Sequence, residues 1–447
     1  MEQVATSDPD SAGYSASDAS AWAAAGLAAV AEGSVAVLTL AGGQGTRLGF
    51  DKPKGMYNLH LPSNKTLFHL QADRIHGLRK AAATHAGVLP AAVAVPWVIM
   101  TSPMTHQDTL QCFKDNSYFG MSEDSVLFFS QGTLPCLTPQ GKIMLQDAST
   151  VAEAPDGNGG IYRALHLSGT YSRLAALGVQ HVHVFAVDNA LVKVGDPIFT
   201  GYCASTAAEV GAKVCLKAHA HEKVGVLCRR QGKFAVVEYS DMPDSAKEAT
   251  NADGSLRFSA GNLCIHYYSM AFLGSKATPA ALPKVYHVAR KAIPHAHPDT
   301  GATVPKSDLT GNNGIKLETF IFDVFESADT VAALQVKREQ EFAPVKNAPG
   351  SPADSPDTAL AYILAQGTAW AAAAGSVLAD GCTVEVSARA SMDGSGLAAL
   401  AGVALAGRVC VVSGDELPGV IPAAAQWVDT SGAVKTATVE GVTFVQV

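Results

Sequence analysis

Charge is scarce in this chain. Asp, Glu, Lys and Arg make up 16% of its 447 residues, against about 25% in an average soluble protein. The balance is mildly acidic, with a formal net charge of −8, which excludes a surface for non-specific nucleic-acid binding. An anionic substrate must then be met by a local cluster of cations. Basic residues also come late: the first in the chain is Arg47. A secretory signal opens on a basic stretch and an organelle transit peptide is rich in arginine, so neither is expected. No apolar run nears the ~20 residues of a membrane span, and no membrane partner is expected. The eight cysteines include no CxxC and no metal-ligand spacing. Several of them, such as Cys215, Cys228, Cys264 and Cys410, lie in apolar stretches. They read as reduced, packed thiols of a cytoplasmic protein.

What is plentiful is apolar and small: 48% of residues are hydrophobic and 41 are glycine. The length allows a large catalytic domain with one or two smaller units. Residues 1–20 are expected to be disordered. A short helix is predicted from Ser20, as N-cap, to a stop at Gly33. The apolar run 35–40 suits a strand buried on both faces. Further strands are predicted at 93–100, 126–129, 181–187, 213–216, 224–229 and 234–239. Helices are predicted at 65–80, 162–177 and 197–211. This alternation predicts an open, mostly parallel α/β sheet. Around Asn347 the composition changes to a proline-rich linker, followed by an Ala-rich helix over 358–374. Residues 377–447 read as a small β-rich domain, with a coiled arrangement of strands as one form of it. The expected division is a short N-terminal segment (1–30), a catalytic domain (31–348), a linker with its helix (349–376) and the β-rich unit (377–447).

The most informative segment is the loop after the first buried strand. Leu40 and Ala41 lead into Gly42, Gly43, Gln44, Gly45, Thr46, Arg47, Leu48 and Gly49. Glycines let backbone N–H groups approach a ligand closely, and converging N–H groups bind anions. Arg47 adds a forked cation suited to phosphate, and Lys54 a second one. A loop in this place lies at the carboxyl edge of the sheet, where α/β proteins bind ligands. Gly49 is followed by Phe50 and not Lys, which excludes a P-loop. A dinucleotide fingerprint starting at Gly43 fails at Leu48. From the residues alone the loop is a phosphate site or a plain glycine turn. Asp188, just after the strand 181–187, is likewise a Mg²⁺ ligand or a turn residue. His181 and His183, alternating along that strand, read as structural.

The loop LAGGQGTRLGF and the segment PKGMYNLHLPSNKTLF resemble the UDP-sugar pyrophosphorylase superfamily, and the second is most similar to the eukaryotic UDP-N-acetylhexosamine pyrophosphorylases. The likeness continues in order through QGTLPC, APDGNGGIYRAL, VDNALVKVGDP, VGVLCRRQGKFAVVEYS, SAGNLCIHYY, HVARKAIP, NNGIKLETFIFDVF and REQEFAPVKNA, covering roughly 22–348. It implies a Rossmann-like nucleotidyltransferase domain of the nucleotide-diphospho-sugar type, with a mixed, mostly parallel sheet. It also implies that UTP and N-acetylglucosamine 1-phosphate react to UDP-N-acetylglucosamine and pyrophosphate. Other or broader sugar specificity, for UDP-N-acetylgalactosamine or UDP-glucose, stays open. A UDP-sugar-using glycosyltransferase is a weaker rival, because Asp188-Asn189-Ala190 lacks the second acid of a DxD pair.

The resemblance carries roles onto particular residues. UTP is expected at Leu40, Ala41, Gly42, Gly43, Lys54, Gln131, Gly157, Asp188 and Lys316. The sugar phosphate is expected at Asn158, Gly225, Glu238, Tyr239, Asn262 and Lys346. Arg47, Lys54 and Lys346 are the expected catalytic cations. Asp188 is the expected ligand of Mg²⁺, with Mn²⁺ as the alternative. Ser259 stands where the family is expected to have Asn. The sugar phosphate oxygen is already anionic near pH 7, so catalysis should rest on positioning and charge neutralisation rather than on a strong base. A monomer or homodimer is expected.

Overall fold

The computed structural model describes residues 1–4, 6, 15–297, 300–416, 420–423, 425–429 and 434–447. A ten-stranded sheet forms the centre. Its strands are β1 Glu2–Gln3, β2 Val35–Leu40, β3 Trp97–Thr101, β4 Val126–Ser130 and β5 His181–Ala186. They continue as β6 Val210–Leu216, β7 Val226–Arg230, β8 Lys233–Val237, β9 Ala260–Ser269 and β10 Val331–Gln335. The order along the main path is β1-β7-β9-β5-β2-β3-β4. Strand β8 pairs with β7, and β6 lies between β9 and β10. Seven strands (β2 to β7 and β10) run one way, and β1, β8 and β9 run the other. The sheet is thus mixed, as predicted, with most strands running one way but four neighbour pairings parallel and five antiparallel.

All six residues of β2 are buried. Its alternation sends Ala36, Leu38 and Leu40 into one core and Val35 and Val37 into another. The first core takes helices α4 Ile161–Leu167 and α5 Thr170–Ala176 through Ile161, Leu165 and Leu174. The second takes α2 Leu67–Ala86 and α3 His106–Asp115 through Phe68, Ile75, Leu78 and Phe113. A strand covered on both sides has to be apolar throughout, which is why β2 was legible as a run without alternation.

Several expectations are corrected. Helix α1 spans Ala16–Ala31, not 20–32, because Ser15 caps it. The Ser15 hydroxyl accepts from Asp18 N–H while the Asp18 carboxylate accepts from Ser15 N–H. The disorder expected over 1–20 is replaced by β1 and the start of α1, and its remaining part, residues 5 and 7–14, lies outside the described residues. The helix predicted over 162–177 is broken at Gly169, whose φ of 76° starts a new one. Helix α6, Pro197–Ser205, ends before Gly211, which already belongs to β6. Gly26 of α1 and Gly201 of α6 let the two helices touch backbone to backbone: a Cβ on Gly26 would sit 2.0 Å from the Pro197 carbonyl oxygen, and one on Gly201 1.9 Å from that of Trp22.

Helix α7, Pro356–Ala373, leads into the C-terminal unit. Val377–Leu378 pairs in parallel with Ala404–Leu405, and Thr383–Val386 with Arg408–Val412. Two passes of chain therefore stack strand on strand, and Val442–Gln446 adds a third parallel strand. This unit docks on α2 through a buried ionic cluster. The Lys65 ammonium lies 2.5 Å from Asp73 and 2.9 Å from Glu416, and Arg389 Nε reaches Asp73 at 2.9 Å. Glu385 accepts from the N–H and hydroxyl of Ser63.

Candidate active site

Two cavities meet at the carboxyl ends of β2 and β5. The first, of about 470 Å³, is lined by Leu40, Gly42, Gly43, Lys54, Gln131, Gly157, Asp188 and Lys316 among others. The second, of about 670 Å³, takes in Gly225, Glu238, Asn262 and Lys346. Asn158, Ala186 and Asp188 line both. Residues far apart in sequence are thus gathered around one carboxylate.

The glycine loop folds back on itself. Gly45 N–H donates to Lys52 O and Lys54 N–H to Gly43 O, so Lys54 returns beside the glycines. Its ammonium then lies 2.9 Å from Asp188 Oδ2 and 3.1 Å from Val345 O. Ala41 is buried beneath the loop, with its N–H on Met100 O. Arg47 is placed differently from the expectation. It sits on the exposed turn Thr46–Leu48, lines neither cavity and has no ion-pair partner among the described residues.

Gln131 is buried and its amide is already committed. Nε2 donates to Asp156 Oδ1 at 3.1 Å and to Gly157 O at 3.0 Å, while Oε1 occupies the space a Cβ on Gly42 would need. Burial raises the Asp156 carboxyl above its ordinary value, and the Gln131 bond offsets part of that. Gly157 has a φ of 89°, and a Cβ there would stand 2.3 Å from Thr319 O. Gly159 N–H donates to Thr319 O, and Asn158 Oδ1 accepts from Ile321 N–H. These bonds bring the strand Gly314–Glu318, and with it Lys316, over the first cavity.

In the second cavity Gly225 makes room for Glu238, since a Cβ would meet Glu238 Oε1 at 2.9 Å. Gly225 O accepts from Asn262 N–H. Asn262 is held by its own side chain, Oδ1 lying 3.0 Å from His266 Nε2 and 3.3 Å from Cys264 N. A bulge between Asn262 and His266 puts Cys264 at φ 56° and turns it toward Asn158. Burial raises the Glu238 carboxyl, Asp241 adds to this, and His287 and Lys346 act against it. Tyr239, next to Glu238, is exposed and lines neither cavity.

Sequence reasoning missed parts of this site. The Arg338 guanidinium pairs with Glu222 at 2.5 Å across the second cavity. The Phe342 ring stands between Arg338 and Lys346, 5.6 and 5.7 Å from its centroid. Thr358 and Tyr362 of α7, the helix expected after the linker, form a wall. The only signal for Arg338 was its place in the same REQEFAPVKNA segment as Lys346. His183 is buried, with Nδ1 accepting from Gly195 N–H, as its structural reading anticipated.

A glycine loop and cations at the carboxyl edge of a mixed sheet, opening across one carboxylate into a second polar cavity, define a nucleotidyltransferase of the nucleotide-sugar type. More narrowly, the chain belongs to the UTP–glucose-1-phosphate uridylyltransferase family, whose model matches residues 26–352. It is 44% identical to the UDP-N-acetylhexosamine pyrophosphorylase-like protein 1 of Xenopus tropicalis, over 80% of this chain and 69% of that protein. It is 42% identical to the UDP-N-acetylglucosamine diphosphorylase 2 of Arabidopsis thaliana, over 86% of this chain and 76% of that one. The crystal structure of the Trypanosoma brucei uridine diphosphate N-acetylglucosamine pyrophosphorylase in complex with inhibitor is similar with a TM-score of 0.77 and 31% identity. That match covers 88% of this chain and 81% of the other.

Proposed function

We propose that this protein joins UTP to N-acetylglucosamine 1-phosphate, giving UDP-N-acetylglucosamine and pyrophosphate. One observation carries the reading: a cavity beside the glycine loop and a second polar cavity share Asp188 and Asn158, so two substrates can meet there. The names of the relatives at 40–44% identity supply the sugar.

In this reading UTP lies along the glycine loop with its phosphates toward Lys54 and Lys316. The sugar hydroxyls and acetamido group meet Asn158, Gly225, Glu238 and Asn262. Lys346 holds the attacking phosphate, whose oxygen displaces pyrophosphate in line at the α-phosphorus. No proton has to be removed from the nucleophile, so the side chains position the groups and neutralise charge. Arg47 and Tyr239 line neither cavity, and their expected roles, at the phosphates and at the sugar, require the loop and the strand end to move toward the substrates.

Divalent metal fits the residues present in a limited way. No group of three or more His, Cys, Asp or Glu that could hold an ion occurs among the described residues. Asp188 offers a single hard carboxylate beside the phosphate loop, and Mg²⁺ is commonly held by one or two carboxylates plus substrate phosphates. Asp188 would hold Mg²⁺, or Mn²⁺, together with the nucleotide, and the ion would supply further charge neutralisation. We place the protein in the cytoplasm, acting as a monomer or homodimer. Eight free cysteines support a reducing compartment, and no helix of the described residues is long and apolar enough to cross a membrane.

The test is pyrophosphate release from UTP and Mg²⁺ with a panel of sugar 1-phosphates. N-acetylglucosamine 1-phosphate is expected to give the highest kcat/KM. Equal or faster turnover of glucose 1-phosphate would overturn the sugar assignment, and no release with any sugar would overturn the reaction.

A further inference from the structure

Asp188 and Lys346 are assigned to different substrates in the reading above, and their backbones are zipped together. Val345 N–H donates to Asp188 O at 2.9 Å, and Ala190 N–H to Ala343 O at 3.0 Å. Asn189 and Pro344 form an antiparallel bridge between them. The side chain that joins the two segments is Asn189, 2% exposed. Its Nδ2 donates to Glu341 O at 2.8 Å. Its Oδ1 accepts from Ala343 N–H at 2.9 Å and from Leu191 N–H at 3.2 Å. One amide thus satisfies three main-chain groups on both segments. The far segment is fixed from behind as well, because the buried Glu341 carboxylate pairs with the ammonium groups of Lys213 and Lys193.

We propose that Asn189 is a positioning residue of the transfer reaction. Its amide sets the spacing between the turn that carries Asp188 and the segment that carries Lys346. The carboxylate at the nucleotide and the cation at the sugar phosphate then reach the reacting groups together. The inference rests on the nucleotidyl-transfer reading above and adds to it a residue that touches neither substrate. The glycine loop is held from its own side by the hydrogen bonds of residues 43–54, and it meets the two joined segments only through Lys54, whose ammonium reaches Asp188 Oδ2 and Val345 O. Nucleotide affinity and turnover should therefore come apart.

The experiment is a double-mutant cycle on the full chain, with Asn189→Ala, Lys346→Ala and both. It reads kcat, KM for N-acetylglucosamine 1-phosphate, the Kd for UTP without metal, and Tm. Asn189→Ala is expected to lower kcat on the order of 10- to 100-fold, as displacements of about 1 Å do, and to raise the sugar-phosphate KM. The UTP Kd should stay within about twofold of wild type. In the Lys346→Ala background the added loss should shrink to a small factor, because residues acting through one another are non-additive. Multiplicative losses, a kcat/KM close to wild type, or a UTP affinity that falls in step with kcat would each overturn the proposal. If Asn189→Ala does not fold, Asn189→Asp keeps both accepted bonds, loses the bond to Glu341 O, and carries the same cycle with the same criteria. A wild-type control that releases no pyrophosphate would instead overturn the transfer reading, and is seen before any substitution is compared.

Discussion

Lys54 Nζ and Asp188 Oδ2 lie 2.9 Å apart although 134 positions separate them in sequence. Both are half-buried, and the same ammonium donates to the carbonyl of Val345, the residue before Lys346. A single cation therefore touches the phosphate loop, the candidate metal carboxylate and the sugar-phosphate side. Lys54→Ala should remove a charge aimed at where phosphate charge develops, which for comparable groups costs about 10²–10³ in kcat. Arg47→Ala, on an exposed turn outside both cavities, should cost less than about tenfold by the same logic of distance to the developing charge. Steady-state kinetics on the two variants decide it. Equal losses would mean that the loop closes over the nucleotide and brings Arg47 in.

Gly157 carries a backbone argument. Its φ of 89° is left-handed, and a Cβ would be driven to 2.3 Å from Thr319 O. Gly157→Ala should cost roughly 1–3 kcal/mol from the strained conformation alone, with the clash in addition. It should also push the strand bearing Lys316 off the first cavity and raise the KM for UTP. A variant with wild-type Tm and KM would show that the 157–160 loop can relax without loss.

Much of this was legible where local sequence dictates local structure. A strand buried on both faces followed by clustered glycines announces a loop at the carboxyl edge of the sheet, and β2 with residues 41–49 forms one. Strand β9 was not legible because its buried positions include Asn262 and His266 and its alternation is broken by a bulge. Arg47 shows that a motif gives a charge but not the side of the turn it takes. Glu238 and Tyr239 part ways because the strand ends at Val237 and Tyr239 already belongs to the turn that follows, which leaves Glu238 to line the cavity. The wall supplied by α7 depends on tertiary packing, with Gly367 lying so close to Val384 that a Cβ would stand 2.3 Å from its carbonyl oxygen. Nothing in the helix's own periodicity indicates that.

The C-terminal unit should depend on its ionic anchor. Burial opposes the Lys65 charge, but Asp73, Glu416 and Glu385 outweigh it and hold the ammonium protonated well above its ordinary range. Removing one member leaves the others buried and unpaired, which costs about 3–5 kcal/mol. Lys65→Ala should therefore lower the denaturant midpoint sharply and expose the junction after α7 to proteolysis. Replacement of the whole cluster by apolar residues should be far less harmful than any single deletion. A single deletion within about 1 kcal/mol of wild type would show the cluster to be hydrated and weakly coupled.

Two buried histidines set an acid limit. Burial drives His183 and His266 from 6.5 to about 3, with Lys213 adding to the effect at His183. Both are neutral in the folded chain and gain a proton on unfolding once the pH is below 6.5. Their folded values are depressed, so the stability they contribute is complete above 6.5 and is lost as the pH falls toward 3. Each group can contribute at most about 1.4 kcal/mol per pH unit within that window, so the pair gives at most roughly 2.8 kcal/mol per pH unit. The carboxyls of Glu238 and Asp156 are raised by burial and act in the opposite sense, but nearer the carboxylate range. The unfolding free energy should thus decline measurably between pH 6.5 and 5, before the carboxylates titrate. Sugar binding should respond separately: ionised Glu238 accepts from hydroxyls more strongly than its protonated form, so the sugar-phosphate KM should rise as the pH falls toward its raised carboxyl value. Glu238→Gln should flatten that rise without removing the decline in stability. A chain equally stable at pH 7 and pH 5 would mean that His183 and His266 are protonated in the folded state, against the burial that keeps them neutral.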